Sequence, residues 1–468
     1  MLALSAALSA PASGAPARVD WRTYGFSANR SGLNPYEQTL DSSRARSLRR
    51  LWSADLGGGE VDTQPLVASG VRLSTGESAD VVYAGTEHGR LVALDARSGA
   101  PVWSRDLGAV HVARCHWTYG ITDTPVLDRT RGSLYVVAGT GEAYELDLAT
   151  GATKHRWPIT GDPQQEHVWS GLTLVHGILY VPVAGTCDIP PYRGRVLAID
   201  THTSRQVAVW HVTGHSGVEG GGIWAWGGLS ADPQRNALYA ATGNSFPPPS
   251  EHVGYAEHVV RLGTRLHVRA SNYPGVTGGD ADFGATPLLY KAKGCPRQLA
   301  VGNKFGDFFV YDRDHIQHGP VQHISLGGSG DGGHALLGVA AFWRAKRMVY
   351  VANPLPRGRF KRGIVAFHVT GACRLALAWQ AKGPGKLTSS PTLADGVLYY
   401  GTGTGGKLVA HKATTGRRLW TSGGVVQGAI YNAPAVIDGV VYVGSWDGRL
   451  YAFGGGPRRS APVAGRAR

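Results

Sequence analysis

The sequence predicts an all-β fold: an eight-bladed propeller of four-stranded antiparallel blades, closed by an N-terminal outer strand. Three observations predict it. First, one unit recurs with a period of roughly 40–55 residues: a short apolar run, a turn, a second run ending in Asp, then Ser-Gly or Thr-Gly, then Trp. It is read in Val81–Ala84, Leu91–Asp95, Ser98-Gly99 and Trp103, and again in Leu134–Val137, Ala143–Asp147, Thr150-Gly151 and Trp157. Later copies end at Trp210 and Trp420. Second, long helical patterns are missing, and 67 glycines suit many tight turns between short strands. Third, the two ends complement each other. The last unit ends after Leu450–Phe453 without an outer strand, and Leu51-Trp52 is an outer strand with no unit before it. Placing Leu51-Trp52 on the last blade leaves no open seam.

In chain order, the apolar, Ala-rich run Leu2–Ala10 followed by Ala15-Pro16-Ala17 reads as a secretory signal over residues 1–17, although no Lys or Arg precedes it. Residues 18–50 are expected to wrap the outside of the ring. Inner strands are expected to start at Pro65, Pro125, Leu172, Gly228, Pro287, Gly338, Pro391 and Pro434, giving one propeller domain over 51–455. Blades four and five lack the closing Trp, and Leu266–Val268 and Val321–Ile324 are expected in its place. Seven tryptophans fall at or near outer-strand ends, where a large flat side chain fills the gap between blades. Residues 456–468 read as a disordered basic tail.

The formal charge is +14, from scattered Lys and Arg with no nucleic-acid motif beside them. The basic surface is either simply solvated or meets an anionic partner such as the cell envelope. No later stretch reaches the ~18 apolar residues a membrane span needs, so the expected location is secreted or extracytoplasmic. Four cysteines allow three pairings. Loop placement favours Cys115–Cys187 and Cys295–Cys373, with free buried thiols as the alternative. The chain has no Cys-x-x-Cys-His and thus no covalent haem attachment site. Gly401–Gly406 matches dinucleotide glycine spacing, but it joins two strands with no helix to hold a pyrophosphate, and reads as a blade turn.

Unusual residues concentrate in the loops expected on one face. Connections between blades hold Arg114–Trp117, Gly220–Trp226 and Gly278–Phe283. Connections between second and third strands hold Gly185–Gly194, Ala241–Phe246 and Gly302–Asp307. Blades two to five supply all six, a convergence that marks a binding mouth.

These residues carry a family resemblance. The Asp-x-x-Thr-Gly-x-x-x-Trp units resemble the repeats of pyrroloquinoline quinone (PQQ) dehydrogenases over about residues 20–455. Gly-Gly-Ile-Trp224-Ala-Trp226, then Leu-Tyr239-Ala-Ala-Thr-Gly-Asn244, resembles the segment with a quinone-stacking Trp and a calcium-binding Asn. Asp280-Ala-Asp282-Phe283 resembles the stretch with the catalytic Asp, and Asn303-Lys304-Phe-Gly-Asp that with a quinone-contacting basic residue. The resemblance implies PQQ and calcium as cofactors. It implies Asp282 as base (Asp280 being its near competitor), Trp224 as stacking platform, Lys304 as quinone contact, and Asn244, Asp188 and Asp282 as calcium ligands. Asp188 departs from the family spacing to Gly194. The family's adjacent-cysteine disulfide is replaced here by Cys115-His116, so a Cys115–Cys187 disulfide or the ring of His116 or Trp117 takes over that wall. The implied activity is oxidation of an alcohol or hydroxylated polymer, with electrons passing to a separate acceptor such as a cytochrome. The alternative is a cofactor-free propeller that binds protein or cell-envelope polymer, with Trp224 packed on Trp226 as a plug, Asn244 and Asp282 serving their own turns, and Lys304 solvated.

Overall fold

The computed structural model describes residues 19–214, 217–246, 253–275, 281–327, 337–385, 389–403 and 405–455. The expected signal at 1–17, the tail at 456–468 and Asp280 lie outside these residues.

Eight four-stranded antiparallel blades stand in a ring, and a short fifth strand is added to two of them, Glu166–His167 on blade 3 and Leu33–Asn34, parallel, on blade 7. Blade 1 shows the pattern: strand A is Leu66–Arg72, B is Ser78–Gly85, C is Arg90–Asp95 and D is Pro101–Asp106, running from axis to rim. The A strands of blades 2 to 8 are Val126–Asp128, Thr173–Val175, Ser230–Asp232, Leu288–Tyr290, Ala341–Trp343, Thr392–Ala394 and Ala435–Ile437. Strands B and C are near-continuous apolar runs, because both of their faces are covered by neighbouring blades. Blade 8 takes its outer strand from the N-terminal segment: Arg49–Asp55 pairs antiparallel with Arg449–Gly454. The expected closure is thus observed.

Details differ from expectation. The sixth A strand starts at Ala341, not Gly338. The outer strands of blades 4 and 5 are Val268–Asn272 and Gln322–Ser325. Leu266 sits at φ +62° in the preceding turn, a conformation that ends strand geometry. Six tryptophans, not seven, lie in outer strands: Trp52, Trp103, Trp157, Trp210, Trp379 and Trp420.

Four of these, Trp52, Trp103, Trp157 and Trp379, donate to a carbonyl of the next blade. Trp103 Nε1 donates to Leu148 O of the next blade at 3.0 Å, and Tyr83 from strand B donates to the same carbonyl at 2.9 Å. Trp379 and Tyr350 converge likewise on Ala413 O, and Trp52 and Tyr442 on Ala96 O across the closure. The Gly of the Thr/Ser-Gly turn is needed because the indole lies against it. A Cβ at Gly151 would sit 2.6 Å from Trp103. Blade 5 has no such Trp, and there Cys295 is joined to Cys373 of blade 6 by a disulfide. Gln298 Nε2 donates to Cys373 O at 2.9 Å, a further bond across this seam.

The expectation that residues 18–50 wrap the outside is corrected. Residues 19–34 run inside the ring, along the free edges of the A strands. Backbone carbonyls of Trp21, Arg22, Ala28, Asn29, Ser31 and Gly32 accept from blades 1, 2, 4, 5, 6 and 7. Asn34 Nδ2 donates to Val436 O of blade 8. Blade 3 is reached by Arg30, whose Nη2 donates to Leu172 O and Thr173 Oγ1. The physical reason is that eight inner edges leave polar backbone groups facing a channel, and a strand laid along them satisfies those groups. From Glu37 onward the segment passes outward, packing Leu40, Ala45 and Leu48 against blades 7 and 8.

Arg30 is fully buried and also donates to Leu229 O, Tyr24 O and Thr23 Oγ1. Arg30→Met is expected to leave several buried carbonyls unmet and to cost about 3 kcal/mol or more. Arg22→Met, at an exposed side chain, should cost under ~0.5 kcal/mol. Urea denaturation of both variants checks this, and equal costs would contradict the plugging role.

Candidate functional site

The connections between blades and those between strands B and C open on one end of the ring. There they enclose a cavity of about 410 Å³. Its walls are largely aromatic, and Trp117, Trp169, Trp224, Trp226, Tyr431 and Trp446 are among the lining residues. Tyr24 of the N-terminal segment is a further wall residue, with its hydroxyl 2.7 Å from Ser390 Oγ.

One wall is built by blades 3 to 5, whose loops are laced by backbone bonds. Gly220 N donates to Tyr192 O, Gly221 N to Asn244 O, and Gly243 N to Gly222 O. Gly220 and Gly221 take φ +93° and +71°, which lets the chain run this close to its neighbours. Phe283 N then donates to Thr242 O, and Lys304 N to Asp282 O at 3.0 Å. This lacing brings three predicted residues into contact. Lys304 Nζ lies 2.8 Å from Asp282 Oδ1. Trp224 Nε1 donates to Asp282 Oδ2 at 2.8 Å. The Lys304 ammonium stands 4.8 Å from the Trp224 ring centroid. Gly284 seats the indole, because a Cβ there would sit 2.7 Å from its edge. Trp224 and Lys304 line the cavity, whereas Asp282 is buried behind them.

The other predicted residues scatter. Asn244 is buried beside this unit: a Cβ on the preceding Gly243 would sit 3.1 Å from Asp282 Oδ2. Asn244 Oδ1 has no hydrogen-bond partner among the described residues. Asp188 lines the mouth but is exposed, and accepts from Tyr192 Oη at 2.5 Å. Burial, with Asp188 and Asp282 both nearby, drives the Tyr192 hydroxyl far above the usual phenol range. Cys115 and Cys187 form the expected disulfide, and of the two Cys187 lines the cavity. His116 is an exposed turn residue at φ +54° and is not part of the lining, which corrects its expected role as a cofactor wall. Among the described residues no three His, Cys, Asp or Glu side chains form a metal cluster.

The opposite wall was missed by sequence reasoning, which drew on blades two to five. Blades 8 and 1 supply Tyr431, Trp446, Asp62 and Glu87. Trp446 Nε1 donates to Asp62 Oδ1 at 2.7 Å, and the carboxyls of Asp62 and Glu87 are neighbours that act on each other's charge. Glu87 Oε2 accepts from Gly120 N at 3.1 Å and from Thr122 Oγ1 at 2.9 Å. Thr122 Oγ1 also lies 2.7 Å from His167 Nε2. Burial holds His167 neutral, with its pKa down at about 3. Burial first, and then Glu60 beside it, raises Asp62 to about 6, while burial and Asp62 raise Glu87 well above the carboxylate range.

A carboxyl that titrates higher folded than unfolded holds its proton longer in the native state, so stability falls as pH rises from the unfolded value near 4 to the folded value near 6. Asp62→Asn/Glu87→Gln removes this loss. The double variant should therefore gain stability relative to the parent between pH ~4 and ~6, by an amount on the order of 2 kcal/mol. Parallel urea titrations across this range check it, and a constant difference would contradict the raised titration of this pair.

With this geometry in place, the chain was compared with known proteins. The family model described as outer membrane protein assembly factor BamB matches residues 5–245 and 365–456. Quinohemoprotein alcohol dehydrogenase ADH IIB of Pseudomonas putida is 27% identical over 287 residues, covering 58% of this chain and 36% of that protein. A polyvinylalcohol dehydrogenase of Pseudomonas sp is 23% identical over 436 residues, covering 78% of this chain and 65% of that protein. The chain thus spans about a third of the first relative and just under two thirds of the second. Among solved structures, quinohemoprotein alcohol dehydrogenase from Comamonas testosteroni superposes with TM-score 0.71 at 18% identity, over 95% of this chain and 82% of that one. A europium-containing methanol dehydrogenase superposes with TM-score 0.72 at 16% identity, over 93% and 98%. These structural likenesses establish the shared fold. Repeat, closed ring and family match agree, and the chain belongs to the PQQ-repeat β-propeller family, related to quinoprotein alcohol and polyvinylalcohol dehydrogenases.

Proposed function

We propose that the mouth cavity binds pyrroloquinoline quinone with calcium and oxidises an alcohol, either a small one or a hydroxylated polymer. The observation that carries this reading is the contact of Trp224, Asp282 and Lys304 at one wall. It joins a flat aromatic face, a carboxylate and a cation in a single hydrogen-bonded unit.

The donors fit the group. A flat polyanion needs an aromatic platform and positive charge, which Trp224 and Lys304 provide. Calcium takes hard oxygen ligands. The buried Asn244 Oδ1 would be one, and Asp282, whose carboxylate lies against the preceding Gly243, would be the other. Asp188, exposed and bonded to Tyr192, is left out of this set. Cys187 brings the Cys115–Cys187 disulfide to the cavity as a wall for the flat group. When bound, the quinone supplies a hydride-accepting carbonyl and calcium a Lewis acid.

Asp282 is the group assigned to take the alcohol's hydroxyl proton, which requires Lys304 or Trp224 to move aside and open its buried carboxylate to the cavity. Lys304 and the Trp224 N–H fix its two oxygens, which orients the carboxylate before substrate arrives. The aromatic walls keep water from the reacting centre. Electrons leave to a separate acceptor such as a cytochrome. Two disulfides support a location outside the cytoplasm. Among the described residues no helix is long and apolar enough to cross a membrane.

One observation favours the second reading, a cofactor-free propeller that binds protein or cell-envelope polymer. Among the described residues Lys304 is the only Lys or Arg lining the cavity, while Asp62 and Asp188 line it too. A polyanion would enter there with little help from charge.

Calorimetry of the full chain with PQQ and calcium, followed by dye reduction with methanol, ethanol and polyvinylalcohol, separates the two. The quinone reading predicts saturable binding, weakened at least about tenfold in Trp224→Ala and in Lys304→Met. It also predicts dye reduction abolished in Asp282→Asn with quinone binding retained. No binding heat with the folded parent retires it in favour of the cofactor-free reading.

A further inference from the structure

The wall opposite Asp282 has a chemistry of its own. Tyr431 and Trp446 have ring centroids 4.4 Å apart, Trp117 lies 5.6 Å from Trp446, and all three line the cavity with Asp62. Asp62 is anchored by Trp446 Nε1, and Glu87 is anchored by Gly120 N and Thr122 Oγ1. Two neighbouring buried carboxyls disfavour double ionisation, and the Trp446 N–H on Asp62 Oδ1 favours keeping the charge on Asp62. Glu60 and Glu87 are the charged groups that act most on Asp62, and both are acidic. A negative charge is thus held next to three aromatic faces in an enclosed space. Ring faces are electron-rich and attract a cation, more strongly when water is excluded. Lys304, on the far wall, does not oppose a second cation strongly, because Asp282 neutralises it at 2.8 Å.

We propose that Asp62 and the rings of Trp117, Tyr431 and Trp446 form a subsite for an alkylammonium group, so that the cavity selects alcohols bearing a positive charge. As a statement about substrate, this rests on the alcohol-oxidising reading above. The ammonium subsite itself needs no quinone. Neutral sugars also stack on aromatic faces, and they are the competing occupant.

The test uses the full chain without cofactor and follows tryptophan fluorescence during titration with choline, with its uncharged carbon isostere 3,3-dimethylbutanol, and with glucose. Choline is expected to bind at least about tenfold more tightly than the isostere. In Asp62→Asn/Glu87→Gln that ratio should fall to within about twofold, with isostere affinity unchanged as the sign of an intact cavity. A single Asp62→Asn is less decisive, because Glu87 can then keep the charge. Should the double variant fail to fold, Trp117→Leu replaces it, with choline weakened about tenfold and the isostere about twofold or less. Equal affinity for choline and the isostere overturns the proposal, as does tighter binding of glucose or a preference that survives loss of both carboxyls. A chain that prefers choline but takes no quinone loses only the link to catalysis. One that takes quinone without preferring choline loses only this subsite.

Discussion

A blade of this protein has two apolar faces and an inner edge of unpaired backbone groups, and it cannot satisfy either alone. Burying the faces requires neighbours on both sides, so the ring must close. Closure is made by Arg49–Asp55 on blade 8, and it repeats the contact used between ordinary neighbours: Trp52 and Tyr442 meet Ala96 O as Trp103 and Tyr83 meet Leu148 O. The inner edges are met by the chain's own residues 19–34, which touch all eight blades and seat a buried guanidinium at Arg30. The N-terminal segment therefore does both, residues 19–34 lining the inner edges and Arg49–Asp55 sealing the seam. Loops from blades far apart in sequence are then held at a single mouth.

The two walls of the mouth differ in chemistry. Blades 3 to 5 have long loops whose glycines let backbones lace together, and that lacing sets Trp224, Asp282 and Lys304 against one another. Blades 8 and 1 are laced by backbone bonds as well, Glu87 N donating to Glu60 O and Trp446 N to Ala429 O, and this sets Asp62 against the Trp446 indole. The first wall offers a paired cation beside a flat face. The second offers a negative charge beside several rings. A flat cofactor and a small charged alcohol make complementary demands on such a space.

Much of the architecture was legible because the repeat encodes it physically. The Asp, Gly and Trp of each unit are parts of one interblade contact, so they recur wherever that contact does. Where blade 5 abandons the Trp, the disulfide from Cys295 and the Gln298 amide cross the seam, and the repeat alone gives no sign of either. The path of residues 19–34 was misread because an irregular strand along the axis has no periodicity, and Arg30 looks in sequence like any surface arginine. Trp224, Asp282 and Lys304 were legible through their family-like segments. Asp62, in Gly57-Gly58-Gly59-Glu60-Val61-Asp62, and Trp446, in a four-residue turn, look like solvated loop positions until closure places blade 8 against blade 1. His116 was misjudged for the converse reason: its neighbour enters the disulfide, while its own left-handed turn leaves the ring in solvent.

The central claim is that blades distant in the chain form one cavity suited to a flat quinone. Amide hydrogen exchange with and without PQQ and calcium tests it most directly. The account predicts simultaneous protection of peptides spanning 222–226, 281–284 and 302–306 together with 429–432 and 445–448, and no change in the outer strands. Protection confined to the outer strands, or limited to a single blade, would contradict it.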